Sequence, residues 1–322
     1  MHNELTSECT FCKSSNSTFK YPTIDIKDQY FEIHQCNECK AFFLTPNPTS
    51  DQLSEAYSES YYGEKEEKFK GIFEKAMDYF RRKRALFITK KLQKNASVLD
   101  IGCGNGRFLS SLLKYGNFKL FGVELEGNSA KRAARIKEIN LKVGTLEQND
   151  FPELSLDAVS MFHVFEHLTQ PKETLEIISK ILKKDGLFVV SFPNIDSWQS
   201  NFFKGKWLHL DPPRHLFFFS PKDFKNLMIK MGFELVHENY SSIEQNPYGM
   251  IQSILNLFCK KREVLFERLK GNNQYAKEYG KGNVFFQKIF FISLFPFFVI
   301  SNFLIAFAKK GATVEFIFKK IN

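Results

Sequence analysis

The chain has 322 residues, of which 43% are hydrophobic, and its 45 basic and 36 acidic residues give a formal net charge of +9. This length can bury a full domain core with appendages, which excludes a peptide-sized module. The basic residues are scattered and often alternate with acidic ones, which disfavours a nucleic-acid-binding stripe. The segment Met1–Lys20 is polar, so no secretory signal is predicted; a reducing cytoplasmic compartment without disulfides is expected.

Two C-x-x-C pairs, separated by 23 residues, lie near the start of the chain: Cys9, Cys12, Cys36 and Cys39. Four thiolates satisfy a tetrahedral zinc ion and leave no position open for water, so a structural zinc ribbon is predicted over residues 1–48. A redox pair is the alternative, although a redox pair does not need a second pair. Cys103 and Cys259 are expected to stay free thiols.

Residues 49–96 are predicted to form a helical lead-in. Pro46 and Pro48 separate it from the ribbon, because proline interrupts regular structure. The segment Ser50–Tyr57 is typical of a short capped helix. A longer helix is predicted over Phe69–Lys94, with one apolar face that is expected to pack against a sheet.

The segment 97–241 is predicted to be the core domain, and it begins with a buried strand, a glycine loop and a helix start. The strand is apolar at Val98, Leu99 and Ile101, as expected for a parallel strand that is covered on both faces. The glycines follow with G-x-G-x-G spacing, which lets the chain turn tightly and lets a ligand approach the backbone: Gly102, Gly104 and Gly106. This spacing differs by one residue from the dinucleotide fingerprint G-x-G-x-x-G, which disfavours NAD.

A second apolar strand, Lys119–Glu124, ends in a carboxylate that can accept hydrogen bonds from both hydroxyls of a ribose. With this strand, the chain resembles the class I S-adenosylmethionine-dependent methyltransferases. Their first motif ends in Asp/Glu-x-Gly-x-Gly-x-Gly, as the segment from Asp100 to Gly106 does, and their second strand ends in the ribose-binding acid, here Glu124.

The resemblance implies that S-adenosylmethionine is the cofactor. It would be held by the three glycines and Glu124, and Asp100 would support its methionine end. Further cofactor contacts are implied for Thr145 and Leu146, after the third strand, and for His163, after the fourth. The family usually has an acid at the position of Thr145, so adenine recognition differs there.

Strands and helices continue to alternate, which predicts an α/β fold with a doubly wound, Rossmann-like sheet of seven strands. The remaining predicted elements are helix 128–138, strand 141–144, strand 156–162, a helix from Thr169 that Gly186 ends, strand 187–192, helix 220–231 and strand 233–237. The last strand, within 311–322, is expected to pair antiparallel beside the strand that begins at Phe233.

Ligands in open α/β sheets bind beyond the carboxyl ends of the strands, where polar residues follow the fourth strand: His163, Glu166 and His167. A histidine here can act as a general base, because its usual pKa lies near neutrality. Two alternatives stay open: Glu166 and His167 only hold the loop together, or the three residues bind a metal ion.

A second polar stretch follows the fifth strand and resembles the Trp-x-His-x-Asp-Pro-Pro-Arg-His pattern of one methyltransferase group. We expect the catalytic base to be His215 or His163, oriented by Asp211 or Glu166. Arg214 is expected to bind a carboxylate or phosphate of the acceptor. These residues and His167 are the candidate catalytic residues.

The ribbon and the lead-in resemble the N-terminal extension of a bacterial methyltransferase group that is associated with sugar and surface-polysaccharide modification. This resemblance implies methyl transfer to a small-molecule or lipid-linked sugar or glycan. The scattered basic residues predict no nucleic-acid partner. One alternative is a zinc-ribbon nucleic-acid-binding protein or RNA methyltransferase. Another is a non-catalytic membrane-associated scaffold.

Residues 242–310 are predicted to be a hydrophobic helical insertion before the last strand. The segment Ile289–Phe307 is long and apolar enough to cross a membrane. We predict that it does not, because the strand that follows it must return to the sheet. A helix pair bent at Pro296 is expected, either at the inner face of the membrane or against a second copy in a homodimer; a buried helix is the alternative.

Overall fold

The computed structural model describes residues 7–57, 72–270, 275 and 279–321. The first six residues of the predicted ribbon, and the start of the predicted helix 69–94, lie outside the described residues. The described part of the chain forms two sheets with helices around them.

The larger sheet has seven strands: β4 (Ser97–Ile101), β5 (Lys119–Glu124), β6 (Ile139–Val143), β7 (Leu156–Phe162), β8 (Leu182–Pro193), β10 (Phe233–Asn239) and β11 (Thr313–Lys320). Their order across the sheet is β10-β11-β8-β7-β4-β5-β6. The strands from β8 to β6 in this order are parallel, whereas β11 pairs antiparallel with both β8 and β10. The predicted seven-stranded sheet and its antiparallel last strand are therefore confirmed.

Both faces of this sheet are buried. Successive side chains of a strand point to opposite faces, so its strands contribute apolar residues to the clusters on both sides. Val98 and Ile317 lie in one hydrophobic cluster, while Leu99, Phe316 and Phe318 lie in the cluster on the opposite face. The helices that cover the two faces are α2 (Ile72–Thr89), α3 (Arg107–Leu112), α4 (Asn128–Ala133), α5 (Pro171–Ile181) and α7 (Pro221–Lys230). A short helix, α6 (Trp198–Phe203), follows β8. The sheet is doubly wound, as predicted.

Gly186 does not end a helix, contrary to the prediction. Helix α5 ends at Ile181, and Leu182 is already extended and paired with Leu156. The backbone N–H groups of Leu154 and Ser155 donate to the carbonyls of residues 180 and 181, which draws this segment into the sheet early. The strand therefore begins five residues before the predicted residue 187.

The smaller sheet contains β1 (Ser17–Ile24), β2 (Tyr30–Cys36), β3 (Phe42–Thr45) and β9 (Phe217–Phe218). In the chain, β9 lies between β8 and β10 of the larger sheet. Strand β9 pairs antiparallel with β3. The short helix α1 (Ser50–Ala56) follows and is capped by Thr49. Pairing with β9 joins the cysteine-bearing segment directly to the loops of the larger sheet.

The described part of the segment between β10 and β11 contains the helices α8 (Asn246–Phe258), α9 (Val264–Lys270) and α10 (Lys281–Phe307). A buried arginine between α8 and α9, Arg262, fixes this region to β1. Its guanidinium donates to the Thr23 hydroxyl (2.9 Å) and to the carbonyls of Ile24 (2.8 Å) and Trp207 (2.7 Å), and it pairs with Glu263. Removing one partner of such a buried ion pair typically costs about 3–5 kcal/mol.

Helix α10 is one continuous helix that includes Pro296, so the predicted pair of helices bent at this residue is wrong. Proline removes one backbone hydrogen bond, but the helix packs on both sides of Pro296 against the cluster that contains α8, through Phe291, Leu294 and Phe298. Among the described residues, α10 is the one helix long and apolar enough to cross a membrane, and 6% of its most apolar window is buried.

The inner side of α10 also carries a buried polar contact. Asn302 accepts a hydrogen bond from the side-chain amide of Asn246 (2.8 Å) and donates to the hydroxyl of Ser241 (2.8 Å). Asn246 in turn accepts from the backbone and the hydroxyl of Thr313 in β11. This network connects α10 to the last strand of the sheet through α8.

Candidate functional site

The glycine loop follows β4 and is fixed to the end of β5. The N–H groups of Gly102 and Cys103 both donate to the carbonyl of Val123, at 2.8 and 3.1 Å. Gly102 has a φ of +68°, and a Cβ there would lie 2.3 Å from Val164, so both its conformation and its packing require glycine. A Cβ at Gly104 would meet no atom within 4 Å, so the loop is open to a ligand there.

Two carboxylates lie at this loop. Glu124 accepts a hydrogen bond from the N–H of Gly104 at 2.7 Å, and burial raises the pKa of its carboxyl. Asp100 is buried and accepts from the hydroxyl of Ser160 at 2.7 Å. Burial, with a smaller contribution from the charge of Glu124, raises the pKa of Asp100 to about 7. The third glycine, Gly106, precedes α3 with a φ of +73°.

The residues after β6 also reach this end of the sheet. The N–H of Gly144 donates to the carbonyl of Glu124 at 2.8 Å. Thr145, which follows it, is exposed, whereas Leu146 is buried in the core. The structure therefore brings the segment that carries Thr145 and Leu146 next to Glu124.

The segment after β7 packs directly on the glycine loop through Val164. His163 has a φ of +54°, and its N–H donates to the carbonyl of Ser191. The side chain of Glu166 is 1% exposed, and its nearest basic atom is Nδ1 of His163, at 3.4 Å. Burial alone would raise the pKa of Glu166, but the neighbouring histidines, led by His163, outweigh it and lower the pKa to about 2. Glu166 is therefore an anion at neutral pH.

His167 and His215 stack edge to face, with ring centroids 4.5 Å apart. Nδ1 of His167 lies 3.0 Å from the carbonyl of Arg214 and 2.8 Å from the hydroxyl of Tyr57, while Nδ1 of His215 lies 2.8 Å from the carbonyl of His209. A carbonyl can only accept, so this network assigns the proton of both rings to Nδ1. Burial, together with the charge of His215, lowers the pKa of His167 to about 4.

Asp211 and Arg214 are both close to this pair of histidines, and they bind each other. Nε of Arg214 donates to Asp211 at 2.9 Å, and Nη2 donates to the second carboxylate oxygen. The second nitrogen of His215, Nε2, lies 3.8 Å from Asp211 and 3.9 Å from Glu166. The two polar stretches that the sequence singles out therefore form one cluster.

Two residues of this cluster were not among the predicted site residues. Tyr57 comes from the end of α1, 110 residues from His167 in the chain, and nothing in its local sequence indicates the contact. His209 is buried, and burial, with the charges of His163 and His215, lowers its pKa to about 3. Its place in the Trp-x-His-x-Asp pattern was the available signal.

The four N-terminal cysteines form a separate cluster. The Sγ atoms of Cys9 and Cys39 are 3.5 Å apart, as are those of Cys12 and Cys36. The four ligand atoms lie within 4.8 Å of one another. A tetrahedral zinc ion with Zn–S bonds of about 2.3 Å holds its sulfurs about 3.8 Å apart, so the arrangement is compatible with zinc.

Comparison with known proteins matches the core of this chain. A family model described as a methyltransferase domain matches residues 73–238. A probable S-adenosylmethionine-dependent methyltransferase of Mycolicibacterium smegmatis is 28% identical over 139 residues, which is 43% of this chain and 52% of that protein. The mitochondrial ubiquinone biosynthesis O-methyltransferase of Dictyostelium discoideum is 29% identical over 113 residues, which is 30% of this chain and 35% of that protein. The matches thus span about half or less of these relatives.

A solved structure from Galdieria sulphuraria, assigned as a sarcosine dimethylglycine methyltransferase, has a TM-score of 0.50 and 16% identity, covering 76% of this chain and 85% of that one. At this identity the similarity concerns the fold, which is Rossmann-like. The family model covers 166 of the 322 residues, including the glycine loop and, apart from Tyr57, the cluster around Glu166. The chain therefore belongs to the methyltransferase domain family.

Proposed function

We propose that this protein transfers a methyl group from S-adenosylmethionine to a sugar or glycan acceptor, either nucleotide-linked or lipid-linked. The observation that carries the proposal is the loop at Gly104, which is open to a ligand, lies beside the Glu124 carboxylate and packs through Gly102 against the segment from His163 to His167. A cofactor site and a cluster of candidate bases are thus adjacent. The acceptor class rests on the resemblance of the N-terminal extension alone.

Each residue of the cofactor site has a proposed role. When bound, S-adenosylmethionine supplies a methyl group on a sulfonium sulfur. Glu124 would exchange its bond with the Gly104 N–H for the ribose hydroxyls, and Asp100 would hold the methionine end. Gly102 and Gly106 shape the loop, Thr145 and Leu146 lie where adenine contacts are expected, and His163 borders the site.

Among the candidate bases, the geometry favours His163 over His215. The side chain of His163 is 29% exposed, against 10% for His215, so an acceptor can reach it. Glu166 lies 3.4 Å from its Nδ1 and would stabilise the protonated ring. Asp211 and Arg214 then have a positioning role, because their ion pair holds the loop that carries His215.

Two further proposals concern the appendages. Residues 1–48 would be a zinc ribbon that holds a structural zinc ion through the four cysteines. The exposed side of α10 would contact the inner face of the membrane, since its large side chains face solvent: Phe285, Phe286, Ile289, Ile292, Phe297, Ile300, Phe303, Leu304 and Phe307. Such a surface would suit a lipid-linked acceptor.

Glu124→Ala should weaken the binding of S-adenosylmethionine by roughly tenfold or more, because each charge-assisted hydrogen bond contributes about 1.5–3 kcal/mol. Isothermal titration calorimetry measures the effect. Glu126→Ala is the matched control, since that neighbouring carboxylate is exposed. Unchanged affinity in the Glu124 variant, or tight NAD binding by the wild type, would contradict the assignment.

With labelled methyl donor, the purified protein should methylate a member of a panel of nucleotide sugars and lipid-linked glycans. His163→Ala should lower kcat by about 10²–10⁴-fold, the usual contribution of a general base. His237→Ala, on β10 and outside the cluster, should leave kcat unchanged. Methylation of RNA alone, or a His163 variant as active as the wild type, would overturn the proposed acceptor or the proposed base respectively.

Protein purified without chelator should contain one zinc ion per chain. Chelation should increase hydrogen exchange in the N-terminal ~45 residues while the larger sheet stays protected, because metal binding and local folding are coupled. Cys36→Ser should lose the zinc, whereas Cys259→Ser should keep it. Elemental analysis that finds no metal in the wild type would refute the zinc ribbon.

The protein should float with liposomes and be released by a carbonate wash, since Asn302 ties α10 to the folded core. Replacing Ile292 and Leu304, which are 71% and 73% exposed, by glutamate should abolish flotation; Ile229→Glu, at a 58% exposed site on α7, should not. Resistance to the wash, with proteolysis at Lys319 and Lys260 from opposite sides, would show that α10 spans the bilayer.

A further inference from the structure

Glu166 is buried in a way that the fold alone does not explain. Glu166 is 1% exposed, and neither of its carboxylate oxygens has a hydrogen-bond partner among the described residues. A buried carboxylate without hydrogen bonds is costly, and proteins retain one where it pairs with a cation or binds a metal ion. The carboxylate points into the cluster formed by the histidines, because the imidazoles of His163 and His215 are its nearest basic groups.

The two histidines beside Glu166, half-buried His167 and buried His215, have the orientation that metal ligands have. In both His167 and His215, Nδ1 is directed to a backbone carbonyl, at 3.0 and 2.8 Å. This bond fixes the tautomer and leaves the Nε2 lone pair available, which is the usual outer-shell arrangement of a metal-binding imidazole. The hydroxyl of Tyr57 adds a second contact to the outer nitrogen of His167.

We propose that Glu166, His167 and His215 bind a divalent transition-metal cation. One ligand atom from each residue lies within 4.8 Å of the others. A cation with bonds of about 2.0–2.2 Å holds its ligand atoms roughly 3.0–3.5 Å apart, so the ligand atoms must approach one another by up to about 1.3–1.8 Å. Two imidazoles and one carboxylate suit zinc, iron, cobalt or manganese, and three protein ligands leave positions open for a substrate.

This inference deepens the proposed function and rests on it for its chemical purpose. A cation in this position can coordinate an acceptor hydroxyl and lower its pKa, and His163, whose side chain is 29% exposed, can accept the released proton. The role of His163 as base and the role of the other three residues as ligands are then compatible. The second carboxylate oxygen of Glu166 can still face His163.

The test is titration of the full chain with Co²⁺ after its cysteine site has been filled with zinc. One further equivalent of Co²⁺ should bind and give weak visible d–d bands, without the intense near-ultraviolet charge-transfer bands of thiolate ligands. His167→Ala and His215→Ala should each weaken this binding by about tenfold or more. His163→Ala should keep it, because His163 is not a proposed ligand.

A histidine variant could also lose Co²⁺ binding because it misfolds, so a second measurement uses the wild type. Coordination through Nε2 should shift two exchangeable Nδ1–H proton resonances of the Co²⁺-loaded protein, seen in H₂O and absent in D₂O. The proposed site is overturned if no further equivalent of Co²⁺ binds, if the only new bands are thiolate charge-transfer bands, or if no Nδ1–H resonances shift. Calorimetry with S-adenosylmethionine separates the two hypotheses. If the wild type binds the cofactor but not Co²⁺, only the cation site is overturned. If the wild type does not bind the cofactor, the proposed function is overturned.

Discussion

The position of β11 between β8 and β10 is the constraint on which the rest of this structure depends. The strand is hydrogen-bonded on both edges, and its side chains enter the hydrophobic clusters on both faces of the sheet. The chain must therefore leave the core after β10, pass through α8, α9 and α10 and return to the same edge. Removing β11 would separate β10 from the sheet and leave β8 with an unpaired edge. The apolar helix α10 is consequently part of the core topology, and it is held from the inside by Asn302.

Much of this fold could be predicted because the core strands are marked by patterns in their own local sequence. Mostly apolar segments such as 98–101 and 156–162 are bounded by glycines or polar residues, and their alternation with helices predicts the parallel sheet. The predictions failed where tertiary contacts decide. Strand β9 has two residues and exists because β3 pairs with it, and α10 continues through Pro296 because α8 supports it. No periodicity in the sequence encodes such contacts.

The same division holds at the site. The glycines, Asp100 and Glu124 lie on consecutive elements, and their resemblance to the first two motifs of the methyltransferases predicts that they meet. The cluster around Glu166 is different, because its outer contact comes from Tyr57 and its second half from residues 209–215. Arg214, expected to bind an acceptor anion, is held by Asp211 at two atoms. A sequence indicates which residues can carry charge, but pairing between them is set by distances that only the folded chain defines.

Carboxyl groups are concentrated at the site although the whole chain carries a net charge of +9. Asp100 and Glu124 lie at the open loop and Glu166 lies in the adjacent cluster, whereas the charge of Asp211 is balanced by Arg214. Acidic groups near the loop favour a cationic ligand. In the proposed reaction S-adenosylmethionine loses the positive charge of its sulfonium and His163 gains a proton. The positive charge thus moves to the ring of His163, whose Nδ1 lies 3.4 Å from Glu166. Since Glu166 is buried and stays ionised, its stabilisation of the new charge is stronger than that of an exposed carboxylate.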